Sequence, residues 1–299
     1  MVTVAEALPF VKGHGTGNDF VLLPDHDGAR YGERVDPALV RALCDRRHGI
    51  GADGVIRVVR ADVPGVPASP GAEWFMDYVN ADGSVAEMCG NGVRVFARHL
   101  LDAGLVRPTA SVPVGTRGGT VLVQAHENDE FTVDMGIAHE PMSGSIVHVD
   151  AIGVRGPGVA VAMPNPHAVM YVGDLVGMGR LRGAPVVHPL GLFPDGANVE
   201  FVVRRGPAQL GMRVWERGVG ETQSCGTGAC AAAWVAMTDD EAAPGTTYTV
   251  DVPGGRLWVT QDERGHLHLR GPAVLVAQGT FVAGDLLVQA GDEAAAILR

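Results

Sequence analysis

Two cysteines sit in matching settings. Cys89 lies in Met88-Cys89-Gly90-Asn91-Gly92 and Cys225 in Ser224-Cys225-Gly226-Thr227-Gly228. Each precedes an Ala/Val-rich run of helical period, so each is expected at a helix start. There the helix dipole and unpaired N–H groups would favour a thiolate and lower the thiol pKa from about 8.5. The same N–H groups can hold a carboxylate, and the glycines let the backbone come close to a ligand. Two such cysteines match a reaction that inverts a carbon centre, with a base on one face and an acid on the other. A pair of buried apolar cysteines, or a disulfide as an oxidised, inactive form, are the alternatives.

A polar run leads into the second cysteine: Trp215-Glu216-Arg217-Gly218-Val219-Gly220-Glu221-Thr222-Gln223. Arg217 could grip a carboxylate bidentately, and Glu216 could accept from an ammonium. Asn18, Asn80, Asn165 and Asn198 are polar loop residues that could add contacts, although asparagine in a turn commonly bonds its own backbone. Taken alone, His167 reads as a satisfied, half-buried histidine.

The elements that must position these groups come from hydrophobic period and turn residues. Pro9 to Pro24 reads as strand, Gly13–Asp19 turn, strand. A helix is expected from Asp36 to Arg47, capped by Asp36, with Pro37 at its first position and Gly49 at its stop. Cys44 falls on the apolar face of that helix and reads as a core residue. Strands are expected at Val55–Val59 and Trp74–Val79, with a Pro/Gly-rich loop, Asp62–Ala72, between them. A helix over Asn91–Ala103 follows, then strands at Ser111–Val114, Thr120–Ala125 and Phe131–Met135. The second half repeats this pattern, with strands at Val159–Met163, Ala168–Val172, Val199–Val203 and Met212–Trp215, a helix from Thr227 to about Met237, and four closing strands ending in Val274–Val288. The two cysteines are 136 positions apart in 299 residues. This suggests an α+β fold of two pseudo-symmetric domains. Each would be a mostly antiparallel sheet wrapped around a central helix, with the active site in the cleft between them.

Composition narrows the partners. The net charge of −11 disfavours nucleic acid and anionic membranes. No run approaches the roughly 18 apolar residues that span a bilayer. Met1 to Val11 lacks a basic n-region and a long apolar h-region, so a cytoplasmic protein is expected. Of 23 basic residues only Lys12 is a lysine. It reads as an ordinary strand residue, which argues against a pyridoxal Schiff base. Two further patterns are set aside. Gly49–Gly54 matches G-x-G-x-x-G but follows a helix, the reverse of a dinucleotide fold. His266 and His268 have no carboxylate or cysteine at ligand spacing, so no metal site is expected there.

The motifs together resemble a known family. Lys12–Phe20 (KGHGTGNDF), Asp45–Gly54 (DRRHGIGADG), Asn80–Arg94 (NADGSVAEMCGNGVR), Asn165–His167 and Glu216–Cys230 (ERGVGETQSCGTGAC) are similar to diaminopimelate epimerases, in family order and over nearly the whole chain. The resemblance implies conversion of L,L-diaminopimelate to the meso form without cofactor or metal, for lysine and cell-wall precursor synthesis. It implies Cys89 and Cys225 as the acid/base pair, with Cys89 acting on the L,L form. Asn18, Asn80, Asn165, Asn198, Glu216 and Arg217 would bind substrate. The backbone of Gly90, Asn91, Gly226 and Thr227 would hold the reacting carboxylate, and His167 and Glu216 would tune the thiols. It also implies a homodimer, and domains of residues 1–133 plus 272–285 and of 134–271, the last strand crossing back. Some members carry a substrate-contacting Gln where this chain has Gly54, so that contact would be absent or supplied by a neighbour or water. A two-cysteine racemase of the proline racemase type is the competing enzyme. An amino-acid binding protein or a redox switch is the competing non-enzyme.

Overall fold

The computed structural model describes residues 7–107, 111–141, 146–151, 153–284 and 286. The end of the expected last strand, 287–288, and residues 1–6 lie outside them. The chain divides into two compact units. The first comprises Met1–Gly15, Asp19–Asp129 and Ala273–Arg299, and the second Thr16–Asn18 and Glu130–Pro272.

In the first unit, Val274–Val282 pairs antiparallel with Ala7–Gly15, which also pairs with Asn18–Pro24. Asn18–Pro24 runs parallel to Gly54–Arg60, and Gly54–Arg60 is antiparallel to Trp74–Asn80. Trp74–Asn80 meets Ser111–Thr116 in parallel, and Ser111–Thr116 folds back on Gly119–Ala125. The second unit repeats the sequence of pairings. Ile146–Ala151, Val154–Ala162 and Pro166–Tyr171 are successively antiparallel. Pro166–Tyr171 is parallel to Asn198–Gly206, which is antiparallel to Gln209–Glu216. Gln209–Glu216 is parallel to Thr247–Val252, which folds back on Gly255–Gln261. His266–Pro272 and Glu130–Ile137 extend this sheet. Each unit is thus a mostly antiparallel sheet with two parallel joints, as pseudo-symmetry requires. Alternating buried and open positions, as in Thr247–Val252, mark strands with one face in the core.

Each sheet curls around one helix. Helix α2, Gly90–Asp102, touches strands across the whole first sheet, and α3, Gly226–Asp239, does the same in the second. Helix α3 is rich in Ala and Gly and is buried over most of its length, so small side chains let strands approach from several sides. Helix α1, Pro37–Cys44, lies on the first sheet over a core of Val21, Leu23, Val55 and Val79. Asp36 caps it by accepting from the Ala38 N–H at 2.7 Å, and Pro37 starts it. It ends earlier than the expected Arg47. The Asp45 carboxylate accepts the N–H groups of Arg47 and His48, a local turn that competes with the helix. The corresponding crossover of the second unit, between Tyr171 and Asn198, has no helix among the described residues. It fills the same role with Leu175, Met178 and Leu181.

Three strands lie outside the sequence expectation: Ile146–Ala151, Val186–His188 and Gly220–Thr222. Two are only three residues long, too short to show a period. The first hairpin turns on Thr16–Gly17 alone, tighter than the expected Gly13–Asp19, with Gly17 at φ +80°.

Candidate active site

In the first unit Cys89 is the N-cap of α2. Its extended backbone lets Sγ accept the Gly92 N–H at 3.4 Å. The N–H groups of Gly90 and Asn91 head the helix, where the helix itself offers no acceptor. Below this turn the chain is apolar. A Cβ on Gly92 would lie 3.3 Å from Ile56 Cδ1 and 3.5 Å from Phe20 Cε1. Arg94 is fully buried; its Nε donates to Gly90 O at 3.3 Å and its Nη2 to Asn91 Oδ1. It therefore braces the loop that follows the cysteine. The Asn91 side chain is turned inward to Arg94. Asn80 ends the strand Trp74–Asn80, in register with Gly54, and its Nδ2 donates to Ser84 Oγ at 3.0 Å. Where a side chain on Gly54 would go, Tyr78 already stands: a Cβ there would lie 2.6 Å from its ring. Asn18 is buried and opens the strand Asn18–Pro24, two residues before Phe20.

In the second unit Cys225 caps α3 in the same way, Sγ accepting the Gly228 N–H at 3.3 Å and lying 3.4 Å from Thr227 Oγ1. Gly226 and Thr227 supply the leading N–H groups. The environment beneath is charged. His167 and Glu200 are both wholly buried, with His167 Nδ1 2.7 Å from Glu200 Oε1 and His167 Nε2 2.8 Å from Asn165 Oδ1. Asn198 is buried; its Nδ2 donates to Pro166 O at 3.3 Å and its Oδ1 accepts the Arg217 N–H at 2.9 Å. That bond ties the Pro166 strand start to the Glu216-Arg217 turn. Glu216 ends its strand, accepting from the Thr222 hydroxyl, and the Arg217 side chain is exposed. Of the predicted residues, Asn80, Gly90 and Asn91 share the first unit with Cys89, while Asn18, Asn165, His167, Asn198, Glu216, Arg217, Gly226 and Thr227 share the second with Cys225.

The expectation of a lowered thiol pKa does not hold at Cys225. Burial pushes this thiol well above its usual range, and the Glu216 and Glu200 carboxylates add to the effect. The Thr227 hydroxyl and Gly228 N–H pull the other way but are outweighed. The surroundings of Cys225 therefore favour the thiol over the thiolate. His167 is not half-buried but fully enclosed, with an oxygen at each ring nitrogen. Glu200 and Arg94 escaped sequence reading. The signal for Glu200 was an acid inside the apolar run Asn198–Val203; for Arg94 it was a cation between Val93 and Val95 on a helix whose other charges, Arg98 and Asp102, lie near its end.

Other features read for chemistry are accounted for structurally. All four cysteines are free thiols. Cys44 lies in the core under α1, and burial pushes its thiol up to about 12. Lys12 Nζ is paired with Asp19 at 2.6 Å, and its ammonium also reaches Gly51 O. Against the opposing effect of burial, Arg46 and Lys12 hold the Asp19 carboxyl at about 2. Gly49–Gly54 lies in the loop from α1 to a strand. His266 and His268 do have carboxylate neighbours, contrary to the sequence reading: Asp134 at 2.9 Å and Asp262 at 3.2 Å. Strand pairing brings in Asp134, which is distant in sequence. No group of three or more His, Cys, Asp or Glu among the described residues is arranged to hold a metal.

Solved structures share this architecture. A phenazine biosynthesis protein of the PhzF family from Bacillus anthracis superimposes with a TM-score of 0.67 at 16% identity, covering 92% of this chain and 99% of that one. A hydroxyproline epimerase from Agrobacterium vitis, with bound trans-4-hydroxy-L-proline, gives 0.63 at 15% identity, covering 92% of each chain. The fold is that of this two-domain group of pseudo-symmetric proteins, which includes epimerases and racemases.

Sequence likeness narrows the class. The family model for diaminopimelate epimerase matches residues 10–140 and 159–276. The diaminopimelate epimerase of Streptomyces coelicolor is 52% identical over 284 residues, covering 92% of this chain and 95% of that protein. That of Mycolicibacterium smegmatis is 46% identical, covering 90% and 95%. The chain belongs to the diaminopimelate epimerase family and is an isomerase.

Proposed function

We propose that this enzyme interconverts L,L- and meso-diaminopimelate using Cys89 and Cys225 as the two acid/base groups, with no pyridoxal cofactor. The observation that carries this reading is the repetition: each unit sets one cysteine at the N-cap of its buried central helix, with a glycine N–H on the sulfur. In the forward direction a Cys89 thiolate takes the α-hydrogen as a proton, and the Cys225 thiol delivers its own proton to the opposite face. The pair ends as Cys89 thiol and Cys225 thiolate; before the next forward turnover Cys89 gives its proton to solvent and Cys225 takes one up, and the reverse reaction also restores the starting pair. The leading N–H groups of Gly90, Asn91, Gly226 and Thr227 hold the reacting carboxylate, where each well-placed donor is worth roughly 3–4 kcal/mol to the developing charge. Asn18, Asn80, Asn165, Asn198, Glu216 and Arg217 grip the distal ammonium and carboxylate. A proline-like substrate would leave that grip without a ligand.

The same reading holds that the enzyme acts in the cytoplasm as a homodimer, in lysine and cell-wall precursor synthesis. Among the described residues no helix is long and apolar enough to cross a membrane. Purified, reduced protein should convert L,L-diaminopimelate to the meso form with no added cofactor and with a chelator present. Absence of meso product, measured by chiral chromatography, would refute the assignment.

A further inference from the structure

The two helix starts share a backbone but not a floor. Strand register makes Phe20, paired with Gly54, the counterpart of His167, paired with Asn198. Two residues on, Ile56 is the counterpart of Glu200. An apolar pair in one unit is thus replaced by a buried histidine–carboxylate pair in the other. Each nitrogen of His167 faces an oxygen, Glu200 Oε1 at Nδ1 and Asn165 Oδ1 at Nε2. Glu200 Oε2 has no hydrogen-bond partner. The carboxylate lies against the helix start: a Cβ on Gly228 would be 2.5 Å from Glu200 Oε1, and the Gly228 N–H is the donor to Cys225 Sγ.

Building on the two-thiol reading, we propose that Glu200 is a positioning residue that keeps Cys225 protonated in the ligand-free enzyme, so that Cys225 starts as the acid and Cys89 as the base. The groups that act on Cys225 most strongly can be named by element. Glu200 comes from the strand Asn198–Gly206 and Glu216 from Gln209–Glu216. The Thr227 hydroxyl and Gly228 N–H come from α3 itself. The two carboxylates oppose a thiolate, whereas the two α3 donors favour one. His167, on Pro166–Tyr171, faces Glu200 with Nδ1 at 2.7 Å from Oε1. The unit carrying Cys89 offers Phe20 and Ile56 at the equivalent places, neither of which titrates.

The test reads the thiol directly. In a Cys89→Ser background, the Cys225 thiolate is followed by its absorbance at 240 nm from roughly pH 7 to 12, with a Cys89→Ser/Cys225→Ser protein subtracted. Glu200→Gln is expected to lower the midpoint by about one pH unit or more, giving about tenfold more thiolate below it. Glu200→Asp, which keeps the charge, should stay near the parent. Should Glu200→Gln not fold, His167→Phe/Glu200→Ile installs the pair already packed in the other unit and must lower the midpoint as well. A folded, charge-free variant with an unmoved midpoint overturns the proposal. This titration needs no turnover: a shifted midpoint in a protein that never epimerises diaminopimelate would refute the functional reading and leave Glu200's role standing. In the protein with both cysteines, Glu200→Gln should also move the pH profile of kcat.

Discussion

The start of α2 and the start of α3 are one device built twice with different surroundings. Both place a cysteine at the N-cap, and both let a glycine three residues on donate to the sulfur. In the first unit Phe20 and Ile56 lie beneath and Arg94 braces the loop; in the second His167 and Glu200 lie beneath, and Cys230 stands where Arg94 would be. The lesson is that a repeated backbone delivers the same cap geometry twice while the side chains beneath it differ. Two interacting thiols share one proton as a pair, so unlike surroundings would serve to fix which of the two keeps it.

The largest effect comes from removing either sulfur. Cys89→Ser and Cys225→Ser should each lower kcat for epimerisation by on the order of 10³-fold or more, because a serine hydroxyl is a far poorer base at neutral pH. Steady-state rates in both directions check this. Full activity in either variant would mean that the two starts are not partners.

A smaller contrast lies in the glycines. A Cβ on Gly92 would sit at 3.3–3.5 Å from its neighbours, whereas one on Gly228 would press on Glu200 at 2.5 Å. Gly228→Ala should therefore cost about 1–3 kcal/mol of stability and displace Glu200. Gly92→Ala should stay within about 1 kcal/mol, since alanine's helix preference offsets its tight fit. Urea unfolding of the two variants measures the difference, and equal costs would erase the proposed asymmetry of the floors.

The smallest effect concerns α1, which the described second unit lacks. Burial holds Cys44 protonated up to about 12, above an unfolded value near 9. A raised thiol pKa contributes stability that is complete below the unfolded value and is lost as pH rises towards the folded one. Between pH 7 and 10 this single group should cost the protein about 1 kcal/mol. Cys44→Ala should flatten that alkaline loss. An unchanged slope would place Cys44 outside the alkaline response.

Much of this arrangement was legible in the chain. The paired Cys-Gly-x-Gly runs, the helical period that follows each, and the polar run into Cys225 locate both helix starts and the residues on them. Hairpins such as Thr247–Gln261 show themselves by alternation around Pro253–Gly254. What escaped depends on contacts distant in sequence. Glu200 looks like an odd acid in a strand until parallel pairing sets it beside His167. Arg94 looks like a surface cation until the sheet closes over it. The helix-start argument anticipated acidic thiols, but it considered only the dipole. Burial and two carboxylates from other strands reverse the outcome at Cys225.

The central claim, that hydrogen leaves to one sulfur and arrives from another, is tested most directly by early turnover of L,L-diaminopimelate in deuterated water. Two opposed thiols predict deuterium at the inverted carbon of the meso product and almost none in the L,L substrate that remains. Product that keeps the substrate's own hydrogen, or remaining substrate that exchanges as fast as product forms, would contradict it.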